Sequence, residues 1–220
     1  MNTDLIAYYK DRAKEYENIY LKPERQDEIK TSTTLLQSIF ADKSVFEIAC
    51  GTGFWTQKIA ETATTVFATD INKSVIEVAE QKLYSKKNVT FDLADIFDLA
   101  IKTKYESLFG GFIWSHIKLQ DLDKFLDAIN NSILPGSTVV FMDNNFVEGS
   151  NHPITNTDLD GNTFQTRKLA DGTTHLVLKN FPSEYFLQNK LADIATDIKF
   201  INLKYYWVLT YKTRTKKGNR

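Results

Sequence analysis

At 220 residues, with 42% hydrophobic and 25% charged side chains, the chain has the length and make-up of one large globular domain. A formal net charge of -1 gives no overall field for nucleic acid, and the single Cys50 excludes an internal disulfide framework and fits a reducing compartment. No apolar run approaches the ~20 residues that cross a bilayer, and the opening lacks a signal-peptide core, so the expectation is a cytoplasmic protein with neither a membrane nor a nucleic-acid partner.

In chain order, residues 4–20 read as a helix with Leu5, Tyr9, Arg12, Ala13, Tyr16 and Tyr20 along one stripe. Pro23 interrupts it, and a second helix is expected over 24–40. An alternation of short apolar strands and amphipathic helices then begins. Strands are expected at 45–49, 65–69, 88–91, 108–114 and 138–142, with helices at 55–62, 73–84 and 119–133 between them. Asn72 is expected to cap the helix over 73–84, and Pro135-Gly136 to turn the chain into the fifth strand. Such alternation predicts an α/β fold, a doubly wound and mostly parallel sheet with helices on both faces. Right-handed crossovers put every parallel strand's C-terminal end on one edge, where ligands bind near the switch in strand order.

Beyond residue 142 the rhythm changes. Residues 143–181 carry turns at Asp160-Gly161, Asp171-Gly172 and Asn180-Phe181-Pro182, and the stretches between them are expected to pair as a hairpin. A short helix over 183–191 leads into "DIKFINLKYYWVLTYKT", read as two antiparallel strands linked near Leu203–Tyr205. The basic tail "KTRTKKGNR" reads as a solvated terminus. The whole forms one domain, with 1–40 as an N-terminal helical cap and 143–181 as a lid or a dimer arm; a monomer or homodimer is expected.

The stretch "VFEIACGTGFWT" joins the first strand to a helix through Gly51 and Gly53. A strand, a glycine turn and a helix present backbone N–H groups to a ligand, and glycine allows positive φ and close approach. Asp70 ends the second strand, where a carboxylate accepts both hydroxyls of a ribose. Asp95 follows the third in "LADIF", within reach of an adenine amine, and Ile71 and Ile96 supply apolar walls. Glu47 would repel a pyrophosphate, and Thr56 stands where the dinucleotide pattern has its third glycine. An NAD-linked oxidoreductase is therefore the weaker reading, and a cationic nucleoside the stronger one.

On these residues the chain resembles the class I (Rossmann-like) S-adenosylmethionine-dependent methyltransferases. "EIACGTGFWT" is similar to their first motif, "FATDIN" to the second, "LADIF" to the adenine-side motif, and "LPGSTVVFMD" to the turn and fifth strand. "YYKDRAKEYENIY" and "GGFIWSHI" are similar to a bacterial small-molecule subgroup. The resemblance implies a seven-stranded sheet whose last strand is antiparallel, S-adenosyl-L-methionine as cofactor and a small-molecule methyl acceptor. It implies that Gly51 and Gly53 border the methionine moiety, Asp70 holds the ribose, Asp95 and Ile96 hold the adenine, and Trp114 lies at the lip of the fourth strand. It also implies that Tyr8, Tyr9, Arg12 and Tyr16 close over the cofactor, with Arg12 pairing its carboxylate.

Methyl transfer of this kind needs chiefly alignment and exclusion of water. His116, after the fourth strand, is the candidate general base, ahead of His152 and His175. Trp55 and Phe146 are candidate walls for the acceptor. "MDNN" offers two oxygen ligands without the third that a catechol-type magnesium site requires, so no metal is assigned. The alternative in another class is a non-catalytic partner subunit that binds the cofactor; an RNA or protein methyltransferase ranks lower.

Overall fold

The computed structural model describes residues 8, 9, 12, 16–99, 101, 103–169 and 171–214. Five strands are laid down in parallel, β1 (Ser44–Ile48), β2 (Thr65–Asp70), β3 (Val89–Leu93), β4 (Tyr105–Gly111) and β5 (Ile133–Asn144). The crossovers run through α2 (Phe54–Ala60), α3 (Lys73–Glu80) and α4 (Leu122–Ser132), and α1 (Gln26–Phe40) precedes them. A small separate sheet of β6 (Asn156–Thr157), β7 (Thr163–Lys168) and β8 (Thr174–Leu178) follows β5. Then come α5 (Glu184–Leu191), β9 (Ala195–Asn202) and β10 (Tyr206–Thr213). The main sheet has seven strands in the order β3-β2-β1-β4-β5-β10-β9, and β10, the last in sequence, runs antiparallel to both its neighbours. This is the expected Rossmann-like topology, with the strand order reversing between β1 and β4.

Period-two alternation divides the strand side chains between two cores. Val45, Val66, Ala68, Phe109, Val140 and Val208 face α1 and α2. Helix α1 buries Ile29, Ser32, Leu36 and Phe40, spaced to form one helical face. Phe46, Ile48, Leu108, Phe141 and Leu209 face α4 and α5, where Phe125, Ile129, Leu187 and Leu191 cover them.

Several local expectations shift. Strand β4 stops at Gly111, three residues before the expected end, because Phe112 takes a left-handed backbone (φ +58°) that no strand tolerates. Trp114 consequently lies in a 3-10 turn, Trp114–His116. Strand β5 begins at Ile133 and passes through the Pro135-Gly136 irregularity, where its register with β4 shifts. Helix α3 ends at Glu80 instead of residue 84, and Asn72 precedes it without making a side-chain cap; its amide donates instead to Asp70 Oδ1 (2.9 Å). Around the expected helix over 4–20, Tyr8 and Tyr9 are helical, whereas Tyr16–Leu21 is a 3-10 helix. Leu5, Ala13 and the Tyr16 side chain lie outside the described residues, as does the tail from residue 215.

Candidate active site

Two adjoining cavities open where β1 and β4 diverge. The first encloses about 630 Å³, including space open to solvent, between the tips of the first four strands. Its floor is Ala49 and Gly51 after β1, and its walls are Ile71, Val75, Ala94, Ile96 and Ile113. Ala49 (φ +50°) and Phe112 both hold left-handed backbones, and both line this cleft. A non-glycine residue in that region costs of order 1–3 kcal/mol, and such strain collects at binding sites.

Asp70 is the carboxylate of the first cleft. Its Oδ2 accepts from the Gly51 amide (3.0 Å) and its Oδ1 from the Asn72 amide, so one side chain ties the glycine turn to the start of α3. Burial raises its pKa, and the donated amides of Asn72, Gly51 and Ile71 oppose that rise. The carboxylate retains lone-pair capacity for a hydroxyl.

Residues expected in one group separate here. Gly51, Asp70, Ile71 and Ile96 line the cleft as expected. Gly53 does not face it: with φ +77°, it replaces a Cβ that would stand 2.9 Å from both Ala79 Cβ and Tyr84 Oη. Its role is to let α2 and α3 meet. Glu47 lies one layer deeper, between Ala68 of β2 and Phe109 of β4. It is 2% exposed with Oε2 unpartnered, and burial pushes its pKa up to about 8. Asp95 is half-buried beside Ile96 and turns Oδ1 back to the Phe97 amide (2.9 Å). Trp114 is not at the lip; it is core, packed edge-on to Phe125, Phe141 and Trp207.

Of Tyr8 and Tyr9, both expected over the cofactor, the structure places one at the cleft. Tyr8 is buried against Val177 of β8, away from the cleft, whereas Tyr9 lines it. Adjacent helical positions point about 100° apart, so two neighbours do not both face the cleft. Arg12 lines the second cavity and donates to Tyr8 Oη (2.9 Å). Glu17, which the sequence reading missed, accepts from Thr52 Oγ1 (2.7 Å) and pairs with Lys82, holding the N-terminal segment over the glycine turn.

His116 is buried where both cavities meet. Its Nδ1 lies 2.6 Å from the Leu178 carbonyl, which can only accept, so Nδ1 carries the proton. Nε2 is then an acceptor, and the Tyr9 hydroxyl donates to it at 2.7 Å. Burial, reinforced by Lys179 and Arg167, holds the imidazole's pKa well below its usual value, so the ring is neutral. The expected free base is therefore a hydrogen-bonded pair, with Tyr9 as the member on the cleft wall. Burial raises the Tyr9 hydroxyl to about 12.

The second cavity, about 850 Å³ counted in the same way, lies between the N-terminal segment, the loop at 150–152 and β7. It shares Tyr9, Phe112 and His116 with the first. Lys179 Nζ reaches Asp143 Oδ1 (2.8 Å) and Ser115 Oγ (2.6 Å), a buried ion pair that docks the small sheet onto the loop after β4. Burial alone would raise the Asp143 carboxyl, but Lys179 holds it below its ordinary range. Asp143 also accepts from the Ser115 amide, and Asn144 Oδ1 accepts from Arg25 Nη1 (3.0 Å). His152 lines this cavity, whereas His175 stacks edge-on to Tyr8. The two expected acceptor walls are absent from both cavities: Trp55 is core, and Phe146 is exposed against Phe181.

The sheet order and the strand-tip cleft define a fold, the one shared by the Rossmann-like methyltransferases. The residues present fit that class's cofactor: a buried carboxylate at the tip of β2, flanked by Ile71 and Ile96, suits a ribose next to a flat base. Residues 45–136, less than half of the chain, match the family model described as "Methyltransferase domain". Over 102 residues it is 28% identical to malonyl-[acyl-carrier protein] O-methyltransferase 2 of Ilyobacter polytropus, a match covering 44% of this chain and 38% of that relative. Among solved structures it is similar to DhpI in complex with SAH (22% identity, 97% of each chain, TM-score 0.80) and to the DhpI-SAM-HEP complex (22%, 96% and 99%, TM-score 0.79). The PH0226 protein of Pyrococcus horikoshii OT3 follows at 16% identity, 91% and 99% coverage, and TM-score 0.73. At these identities the structures speak for the fold. No helix among the described residues is long and apolar enough to cross a membrane.

Proposed function

We propose that the chain is an enzyme that moves a methyl group from S-adenosylmethionine to an oxygen or nitrogen atom of a small molecule. The observation that carries this reading is the shared wall: Tyr9, Phe112 and His116 border both the cleft that suits the cofactor and the cavity beside it. Asp70 would hold the ribose hydroxyls, Ile71 and Ile96 the adenine faces, Asp95 the adenine amine, and the backbone at Ala49 and Gly51 the amino-acid end. When bound, the cofactor supplies a methyl group on a positively charged sulfur. Glu47 adds negative potential beneath the glycine turn once ionised, which favours a cationic ligand over a phosphate-bearing one.

The rest is orientation. The neighbouring cavity holds the acceptor against the shared wall, and the segment 143–181 acts as a lid or dimer arm that selects it. For an acceptor that arrives protonated, the proton leaves through Tyr9 to Nε2 of His116, the one acceptor nitrogen of that ring. His116→Gln should therefore lower turnover by ~10²-fold with S-adenosylhomocysteine affinity unchanged.

Incubating the purified chain with methyl-labelled S-adenosylmethionine and a metabolite extract tests the reading. Label entering a small molecule is the expected result. Label confined to the cofactor would favour a non-catalytic partner protein, and label entering RNA or protein would redirect the assignment.

A further inference from the structure

Among the described residues the second cavity is lined by five cations, Arg12, Lys22, Arg25, Arg167 and Lys179, and by no carboxylate. Two acids among the described residues stand near it. Asp143 is committed to Lys179, and the exposed Glu24 accepts from Ser150 Oγ (3.0 Å). Among the described residues Lys22, Arg25 and Arg167 enter no ion pair. Their hydrogen bonds go to neutral acceptors: Arg25 to Ser150 Oγ (2.9 Å) and Asn144 Oδ1, Lys22 to the Ser150 carbonyl (2.6 Å), Arg167 to Gln165 Oε1 (2.8 Å).

Burial makes this arrangement informative. Arg25 is 5% exposed and Arg167 8%. A guanidinium withdrawn from water is costly unless an opposite charge meets it, and neutral acceptors compensate only in part. Stacking of Arg25 over Tyr205 and Tyr206, 5.3 and 5.5 Å from the ring centres, fixes its plane without neutralising it. The cations also press on each other: burial and Arg25 lower the pKa of Lys22, and burial with Arg167 lowers that of His152. A protein that gathers such charge from three separate segments around one void leaves the counter-charge to a ligand.

Resting on the assignment of this cavity to the acceptor, we propose that the methyl acceptor is a small oxyanion, a carboxylate or a phosphorus oxyacid, gripped by Lys22, Arg25 and Arg167. Guanidinium groups match such oxygens in bidentate geometry, and the shared wall of Tyr9, Phe112 and His116 sets the anion next to the cofactor cleft.

The full chain should be titrated calorimetrically with inorganic phosphate and with succinate, with and without saturating S-adenosylhomocysteine, at ionic strength held constant with sodium chloride. Glycerol serves as an uncharged control. Saturable uptake of either anion, at least ~10-fold weaker in Arg167→Gln and in Lys22→Gln, is expected. S-adenosylhomocysteine affinity should be unchanged in both variants. The two anions separate carboxylate from phosphorus specificity. Native protein that takes up neither, or binds them equally well in both variants, overturns the proposal. Should Arg167→Gln fail to fold, Lys22→Gln, on a half-buried side chain, decides alone. Anion uptake by these residues in a chain that does not bind S-adenosylhomocysteine would uphold the anion site and defeat the cofactor assignment instead.

Discussion

Among the described residues, a single carboxylate, Asp70, stands in the first cleft with isoleucines, a valine and small residues; in the cavity next door five cations crowd around neutral acceptors. The first is built mainly from the tips of four successive parallel strands, so apart from Tyr9 and His116 its described lining falls between Ala49 and Ile113. The second gathers residues 12, 22, 25, 167 and 179, which meet only because the small sheet folds back onto the turn after β4. One site is a consequence of strand topology, and the other is an assembly of distant segments. On the function proposed above, the first would take the cofactor and the second would set the choice of acceptor.

The contrast can be broken most severely at the joint of the second site. Asp143→Ala would leave Lys179 charged and buried without its partner, and should destabilise the chain by about 3–5 kcal/mol in urea unfolding. Lys179→Met added to Asp143→Ala should recover much of that loss; equal stability of the single and double variants would show that the pair does not dock the small sheet.

The first cleft should respond to pH through Glu47. Its folded pKa, pushed up to about 8, lies above the unfolded value. Between pH 5 and 8 the folded chain thus binds more protons than the unfolded one, and stability falls as pH rises. Glu47→Gln should remove that fall, and its advantage over the native chain should grow from pH 5 to pH 8 by on the order of 3 kcal/mol. Parallel stability curves for the two proteins would contradict it.

Gly53→Ala probes packing instead of ligand approach. A left-handed alanine and a Cβ 2.9 Å from Ala79 should together cost about 2–4 kcal/mol of stability. A stable variant that merely loses cofactor would return Gly53 to the cleft. The smallest effect expected is on binding: Asp70→Asn should weaken S-adenosylhomocysteine by ~10–100-fold, the loss of hydrogen bonds to a charged acceptor.

The same contrast explains what the sequence disclosed. The parallel sheet, the antiparallel β10, and the cleft residues Gly51, Asp70, Ile71 and Ile96 were legible because strand-helix alternation, a short link between two strands and strand-tip motifs are all local patterns. Errors inside that region were errors of phase. Tyr8, one helical step from Tyr9, turns away from the cleft where both were expected, and Trp114 was assigned to a strand that Phe112 had already ended. The basic cavity was not legible. Gln165 and Arg167 share a face of β7, which period two could have indicated, but polar side chains do not announce that their face is buried. Arg25 follows Pro23 in what reads as an exposed helix start, and Lys179 precedes a turn; nothing local ties either to Asn144 or Asp143, more than thirty residues away. Long-range pairing of charges leaves no periodic trace.

The central claim is that the strand-tip cleft holds an S-adenosyl cofactor and not a dinucleotide. Titrating the purified chain with S-adenosylhomocysteine and, separately, with NADH tests it most directly. Saturable one-to-one uptake of S-adenosylhomocysteine, with NADH weaker or silent, is the result expected. Preferential uptake of NADH, or no uptake of S-adenosylhomocysteine by folded native protein, would contradict it.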